Sequence, residues 1–196
     1  MNKYFFIFLI LIIFTSPFSG VSAKDQFQPE QEMKIQIKKL DKRAYILKKY
    51  LAQFNSPLED HAQDFVEAAD LYQIDWKLVP AIAGVESTFG KFIPGGYNGW
   101  GWGVYGDQAL QFKSWRDGIF TVSKGLKENY IDKGLTDPYA INRKYAASPH
   151  WGWKVSYFIN DIEEFTRKNT LEADLLLSPV FEEKKAISSA KLALEY

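Results

Sequence analysis

Glu86 is the residue whose position in this sequence most clearly favours acid–base chemistry. It follows Ala83 and Ile82 by three and four residues in an apolar run, so on a helix it would share their buried face. Burial disfavours the ionised form of a carboxylic acid, and so does the negative end of a helix. The spacing therefore predicts a raised pKa, as expected of a group that protonates a glycosidic oxygen. A buried glutamate paired with a Lys or Arg from another helix is the alternative that local sequence leaves open.

A glycine-rich, aromatic segment follows at residues 94–107, in which six glycines are interleaved with four aromatic residues. Glycine weakens the interior of a strand but lets the backbone approach a ligand closely. Aromatic faces suit the C–H surfaces of sugar rings, and amide groups can bind their polar substituents. Packing of the tryptophans into the core below the loop is an equally good interpretation. The candidate substrate-binding residues are Tyr97, Asn98, Trp100, Trp102, Tyr105 and Asp107.

Other classes of chemistry find little support in the composition. The chain has no cysteine, and its two histidines, His61 and His150, lack the spacing of metal ligands. We therefore expect neither a metal nor a cofactor. The 24 basic and 24 acidic residues balance, which gives no electrostatic case for binding nucleic acid.

The N-terminus has the pattern of a secretory signal peptide. Lys3 precedes an uninterrupted apolar run over residues 4–14, and Val21-Ser22-Ala23 offers small residues before a cut. We expect cleavage after residue 23, a secreted or cell-envelope location, and no stable membrane insertion afterwards. An uncleaved membrane anchor is the alternative.

The apolar spacing and the capping residues predict a mainly helical protein. A helix over residues 37–54 has a narrow apolar seam that packs on the domain or, alternatively, supports weak self-association. The helix over residues 76–88 is apolar nearly all round, so it should lie buried at the centre and carry Glu86. Residues 93–108 form a loop or a short hairpin. Further helices are predicted from Ser56 to Gln73 and after the caps Ser114, Asp137 and Ser148.

We divide the chain accordingly into four parts. These are the signal peptide at 1–23, a polar segment and helix at 24–55, the main domain at 56–168 and a tail at 169–196.

Three segments in order resemble motifs of the bacterial glucosaminidase family, whose domains are described as mannosyl-glycoprotein endo-β-N-acetylglucosaminidase-like. Residues 78–90 are similar to the helix that ends in a catalytic glutamate followed by serine, a feature shared with lytic transglycosylases. Residues 97–103 and 145–155 resemble the family's aromatic–glycine and tyrosine–alanine motifs. The resemblance implies an α+β, lysozyme-like fold of two lobes, with Glu86 as the general acid. It also implies that Tyr145 helps to hold Glu86 or the N-acetyl group of the substrate.

The sequence predicts a glycosidase that cleaves β-1,4 bonds in peptidoglycan or a related N-acetylated glycan. Asp107, 21 residues after Glu86, is the best candidate for a second carboxylate. Without it, the acetamido group of the substrate could assist, or an intramolecular hydroxyl could attack and give an anhydro product, as in lytic transglycosylases. A non-catalytic glycan-binding module and an envelope scaffold are the rival functions.

Overall fold

The structure, a computed structural model, describes residues 41–93, 95–103 and 110–178. The signal segment, residues 24–40, Tyr105, Asp107 and the end of the tail lie outside the described residues. The described part contains six α-helices: α1 Lys42–Ala52, α2 Ala62–Tyr72, α3 Leu78–Ser87, α4 Trp115–Asn129, α5 Pro138–Tyr145 and α6 Trp151–Leu176. Short 3₁₀ turns occupy Glu59–His61 and Ile131–Lys133.

The prediction of a mainly helical protein is confirmed for the described residues, which include no β-strand. Within those residues, the segment expected as a loop or a hairpin forms turns. The β component of the expected α+β class is therefore absent from the described ranges.

Capping side chains begin two of the helices where the sequence predicts them. Ser114 accepts a hydrogen bond from the backbone N–H of Asp117 at the start of α4. Asp137 accepts from the N–H groups of Tyr139 and Ala140 at the start of α5. Each cap satisfies N–H groups that have no partner inside the helix, which fixes where the helix begins.

The helix expected to start at Ser56 begins later, at Ala62. Ser56 Oγ does accept from the N–H of Leu58, as an N-cap would, but it also donates to the carbonyl oxygen of Phe89. The chain between Ser56 and Ala62 forms turns and a 3₁₀ segment before the α-helix starts. A buried contact between distant segments therefore displaces the helix start.

Helix α3 lies at the centre of the hydrophobic core, as its sequence predicts. Every residue from Leu78 to Gly84 is buried, and the helix packs against α6 and α4. The helix ends at Ser87, because Thr88 adopts the left-handed conformation with φ of 51°. Glu86 consequently lies in the last turn.

The domain boundary that we placed at residue 56 does not coincide with a break in the packing. Helix α1 contributes Leu47, Tyr50 and Leu51 to the same core as α3 and α6. These apolar residues of α1 thus pack within the chain, and weak self-association of the helix stays a prediction. Tyr50 also donates from its hydroxyl to Asp161 on α6, at 2.6 Å.

Helix α6 continues beyond the boundary placed at residue 168. It ends at Leu176, and Ala173 in its last turn is fully buried. Glu172 and Asp174 form ion pairs with Lys49 and Lys42 of α1. From the sequence we predicted that these polar residues belong to a tail, because their ion-pair partners lie more than a hundred positions away and give no local signal. None of the helices described here is long and apolar enough to cross a membrane.

Candidate active site

Glu86 projects from the last turn of α3 and is exposed, whereas Ile82 and Ala83 on the preceding turn are fully buried. Glu86 therefore does not share the buried face that its spacing predicts, although its carboxyl group is buried enough to raise its pKa. The residue next to Glu86 Oε2, Gly101, explains why the carboxyl group is accessible. Gly101 has a positive φ of 60°, and a Cβ atom built on it would lie 3.3 Å from Glu86 Oε2. Because glycine has no side chain, the carboxyl group stays accessible.

The indole N–H of Trp151, the first residue of α6, donates to Glu86 Oε1 at 2.6 Å. A tryptophan N–H can only donate, so Oε1 must act as an acceptor. When the acid is neutral, its proton is then placed on Oε2, the oxygen that faces Gly101. Trp151 itself is buried, which fixes the direction of this hydrogen bond.

The pKa of Glu86 is raised above its ordinary value. Burial of the carboxyl group is the largest cause, because packed atoms replace part of the water that would solvate the anion. The hydrogen bond from Trp151 and the positive charge of Lys154 act in the opposite direction, since both favour the carboxylate. The predicted direction is thus confirmed, although the residue is solvent-accessible.

Tyr145, at the end of α5, supports Trp151 and the aromatic loop. Its ring stacks on Trp151 with centroids 4.5 Å apart and an angle of 23°. Its hydroxyl donates to the carbonyl oxygen of Trp100 at 2.7 Å. Burial and the nearby Glu86 raise the pKa of Tyr145, which keeps this hydroxyl protonated and able to donate. Tyr145 thus contacts Trp151, the residue that donates to Glu86.

Asn98 organises the loop and is not available to read a ligand. It is buried, and its Nδ2 donates to the carbonyl oxygens of Trp102 and Leu110 at 2.8 and 2.7 Å. Its Oδ1 accepts from the backbone N–H of Trp102. Because its amide is occupied by backbone groups on both sides of the loop, the predicted substrate contact through this side chain is corrected to a structural role.

Trp100 is fully buried, and its indole N–H donates to the carbonyl oxygen of Val79 on α3 at 3.0 Å. Phe65, Phe112 and Trp115 pack edge-on against its ring. The predicted sugar contact of Trp100 is therefore wrong, and its alternative role as a core residue below the loop is the observed one.

Trp102 remains half-buried, with its ring 5.8 Å from Tyr145 and 6.3 Å from Tyr130 between centroids. Tyr97 is 44% exposed and rests edge-on against Trp115. Both can meet a ligand. Of the sequence candidates, the structure thus brings Glu86, Trp102 and Tyr145 into one neighbourhood.

A pocket of about 450 Å³ has Gly101 in its wall, and a Cβ atom built on this glycine would lie 3.3 Å from Glu86 Oε2. Trp102, Tyr130 and Tyr145 supply aromatic surfaces. The remaining lining residues are Gly103, Asn129 and Lys144.

Trp151 and Ser87 are site residues that the sequence did not identify. The Ser87 hydroxyl lies 2.7 Å from the carbonyl oxygen of Gly99 and accepts from the N–H of Gly90. It therefore ties the end of α3 to the loop that covers Glu86. The glutamate–serine pair of the motif was the available signal for Ser87. For Trp151 the signal was weaker, because a tryptophan in an apolar helix pattern does not reveal which group accepts the hydrogen bond from its indole N–H.

Two proteins from different strains of Streptococcus pneumoniae, each named "Putative endo-beta-N-acetylglucosaminidase", are similar to this chain. Each is 33% identical over 120 residues, which cover 56% of this chain and 18% or 17% of the relative. No family model matches the chain. The similarity supports a glucosaminidase-like relationship for about half of the chain. The chain spans only a small part of the length of these relatives.

Proposed function

We propose that this protein is a glycosidase that cleaves β-1,4 bonds in peptidoglycan or a related N-acetylated glycan. The observation that carries the proposal is Glu86, an accessible carboxylic acid with a raised pKa, fixed by Trp151 beside an aromatic pocket. The name shared by the two pneumococcal relatives supports the same reaction class.

Glu86 acts in this proposal as the general acid. Its Oε2 gives a proton to the leaving oxygen, while Oε1 keeps its hydrogen bond to Trp151. That hydrogen bond stabilises the carboxylate left after proton transfer, since an N–H donor favours the charged form. The sugar on one side of the cleaved bond occupies the pocket, where the faces of Trp102 and Tyr130 pack against its C–H surface.

The developing positive charge on the sugar requires support from the opposite face. Asp107 is our candidate for a second carboxylate, and the acetamido oxygen of the substrate is the alternative. Turnover of Asp107→Asn separates them: a large loss supports the carboxylate, and unchanged turnover removes Asp107 from the mechanism.

Digestion of purified peptidoglycan by residues 24–196, wild type beside Glu86→Gln, tests the proposal. Mass spectrometry of the fragments should show release by wild type and none by Glu86→Gln. Glu164→Gln, an exposed substitution on α6, is the matched control and should digest normally. The new fragment ends name the cleaved bond and distinguish hydrolysis from formation of an anhydro sugar.

Absence of release by wild type would overturn the proposal. Sedimentation of the protein with the cell wall would then favour the non-catalytic binding module.

We also propose that the protein is exported after cleavage near residue 23. Fractionation of cells that express the full chain, with N-terminal sequencing of the envelope form, tests this. A protein that keeps residues 1–23 in the membrane fraction would support the uncleaved anchor instead.

A further inference from the structure

The pocket beside Glu86 contains a cation as well as aromatic faces. Lys144, in the last turn of α5, forms part of its wall with Tyr130 and Tyr145. None of the described residues that line the pocket carries a carboxylate. An uncharged sugar would need only the aromatic faces and some hydrogen-bonding groups, whereas the exposed Lys144 adds a positive charge to the pocket wall.

Contacts within the chain hold Lys144 at the pocket without neutralising it. Its Nζ donates to the carbonyl oxygen of Asn129 at 3.2 Å and lies 5.1 Å from the centroid of the Tyr130 ring. An ammonium group has three N–H donors, so donors remain for a ligand. Among the described residues, Lys144 forms no ion pair.

The acidic residues on the neighbouring segment are paired with other lysines. Glu128 lies 3.8 Å from Lys124, and Asp132 lies 3.0 Å from Lys127. These pairs leave the charge of Lys144 unbalanced within the described part of the pocket wall. A ligand that carries a negative charge would balance it.

We propose that Lys144 makes this pocket a subsite for a sugar that carries a carboxylate. The inference rests on the proposed function and names a specificity determinant within it. The aromatic faces bind the sugar ring, and Lys144 donates to the carboxylate on its substituent. Gly101 belongs to the pocket wall and lies next to Glu86 Oε2, so this subsite is the one that we assign beside the proposed general acid.

Two glycans with the same β-1,4 backbone separate this role from general sugar binding. Peptidoglycan strands stripped of their peptides carry a free lactyl carboxylate on every second sugar, whereas chitin oligosaccharides carry none. Binding of both, at equal length, is measured by calorimetry in a Glu86→Gln background, which prevents cleavage during the titration.

Lys144→Gln should weaken binding of the peptide-free strands about tenfold, the effect of roughly one charge-assisted hydrogen bond. Its affinity for chitin oligosaccharides should not change. Lys144→Arg should retain the preference, because it keeps a cationic donor. Lys133→Gln, which replaces an exposed lysine outside the pocket, is the matched control.

Equal weakening of both glycans by Lys144→Gln, no weakening of either, or no preference in the parent protein would each overturn the inference. These outcomes are read from binding alone. A protein that digests no peptidoglycan but loses its preference for carboxylated strands in Lys144→Gln would contradict the proposed function and leave this inference standing.

Discussion

Trp151 donates from its indole nitrogen to Glu86 Oε1 at 2.6 Å, across 65 positions of sequence. The hydrogen bond joins the end of α3 to the start of α6 and leaves Oε2 for the proton. In the function that we propose, a fixed orientation and a raised pKa would both favour proton donation by Glu86.

Trp151→Phe should lower turnover roughly ten- to a hundredfold, because the carboxyl group loses its fixed orientation while the aromatic stacking on Tyr145 is retained. The pKa of Glu86 should rise further, since the lost hydrogen bond favours the carboxylate. The alkaline limb of the pH–rate profile should therefore move to higher pH. Trp153→Phe, at an exposed position on the same helix, is the control. An unmoved alkaline limb would contradict the assigned hydrogen bond.

Gly101→Ala should reduce turnover at least tenfold, because the added methyl group would lie 3.3 Å from Glu86 Oε2, where the leaving oxygen must approach. The left-handed backbone adds about 1 kcal/mol of destabilisation. Gly134→Ala has a similarly positive φ, 82°, with nothing within 4 Å of the new Cβ, so it carries the backbone cost alone. Steady-state kinetics and urea unfolding of both variants separate the two effects. Equal turnover in the two variants would refute the obstruction.

Tyr145→Phe should destabilise the protein by about 1–2 kcal/mol, because the carbonyl oxygen of Trp100 loses its hydrogen bond from the hydroxyl. The aromatic ring should keep its stacking on Trp151, so a part of the activity should survive. Urea unfolding provides the measurement, with Tyr139→Phe as a control at an exposed tyrosine. A stability equal to that of wild type would show that this hydroxyl contributes nothing to the fold.

Glu86→Gln should change how stability depends on pH. The folded state raises the pKa of Glu86, so between the ordinary and the raised value it binds more protons than the unfolded state does. Wild type should therefore lose stability relative to Glu86→Gln as the pH rises from about 4 to 8. At Glu164, by contrast, the hydrogen bond from Lys168 lowers the pKa, so Glu164→Gln should show no such gain. Urea unfolding at both pH values measures the difference, and a constant gap between wild type and Glu86→Gln would contradict the raised pKa.

Elements that depend only on neighbouring residues could be predicted from the amino-acid sequence. Ser114 and Asp137 cap their helices because their side chains reach N–H groups two or three positions ahead. The apolar run around Ile82 specified a buried central helix in the same way. Glu86 stood out as a candidate because its place at the end of that run is a local property, and its spacing predicted the direction of its pKa shift.

The directions of the described side chains in the aromatic loop depend on long-range packing and could not be predicted from local sequence. Trp100 and Trp102 have nearly the same neighbours in the sequence. Trp100 is nevertheless buried in the core, whereas Trp102 lines the pocket. Asn98 is occupied by the backbone on both sides of its loop. In each case the group that contacts the side chain comes from a different segment or from the folded loop itself. Hydrophobic periodicity carries no information about such contacts.

The pairing of Glu86 with Trp151 has the same origin. A tryptophan at the start of an apolar helix is predicted to be a core residue, and Trp151 is indeed buried. The direction of its N–H depends on how α6 packs against α3, and residues of the two helices are far apart in sequence. Local sequence thus supplied the acid, and long-range packing supplied the hydrogen bond that orients it.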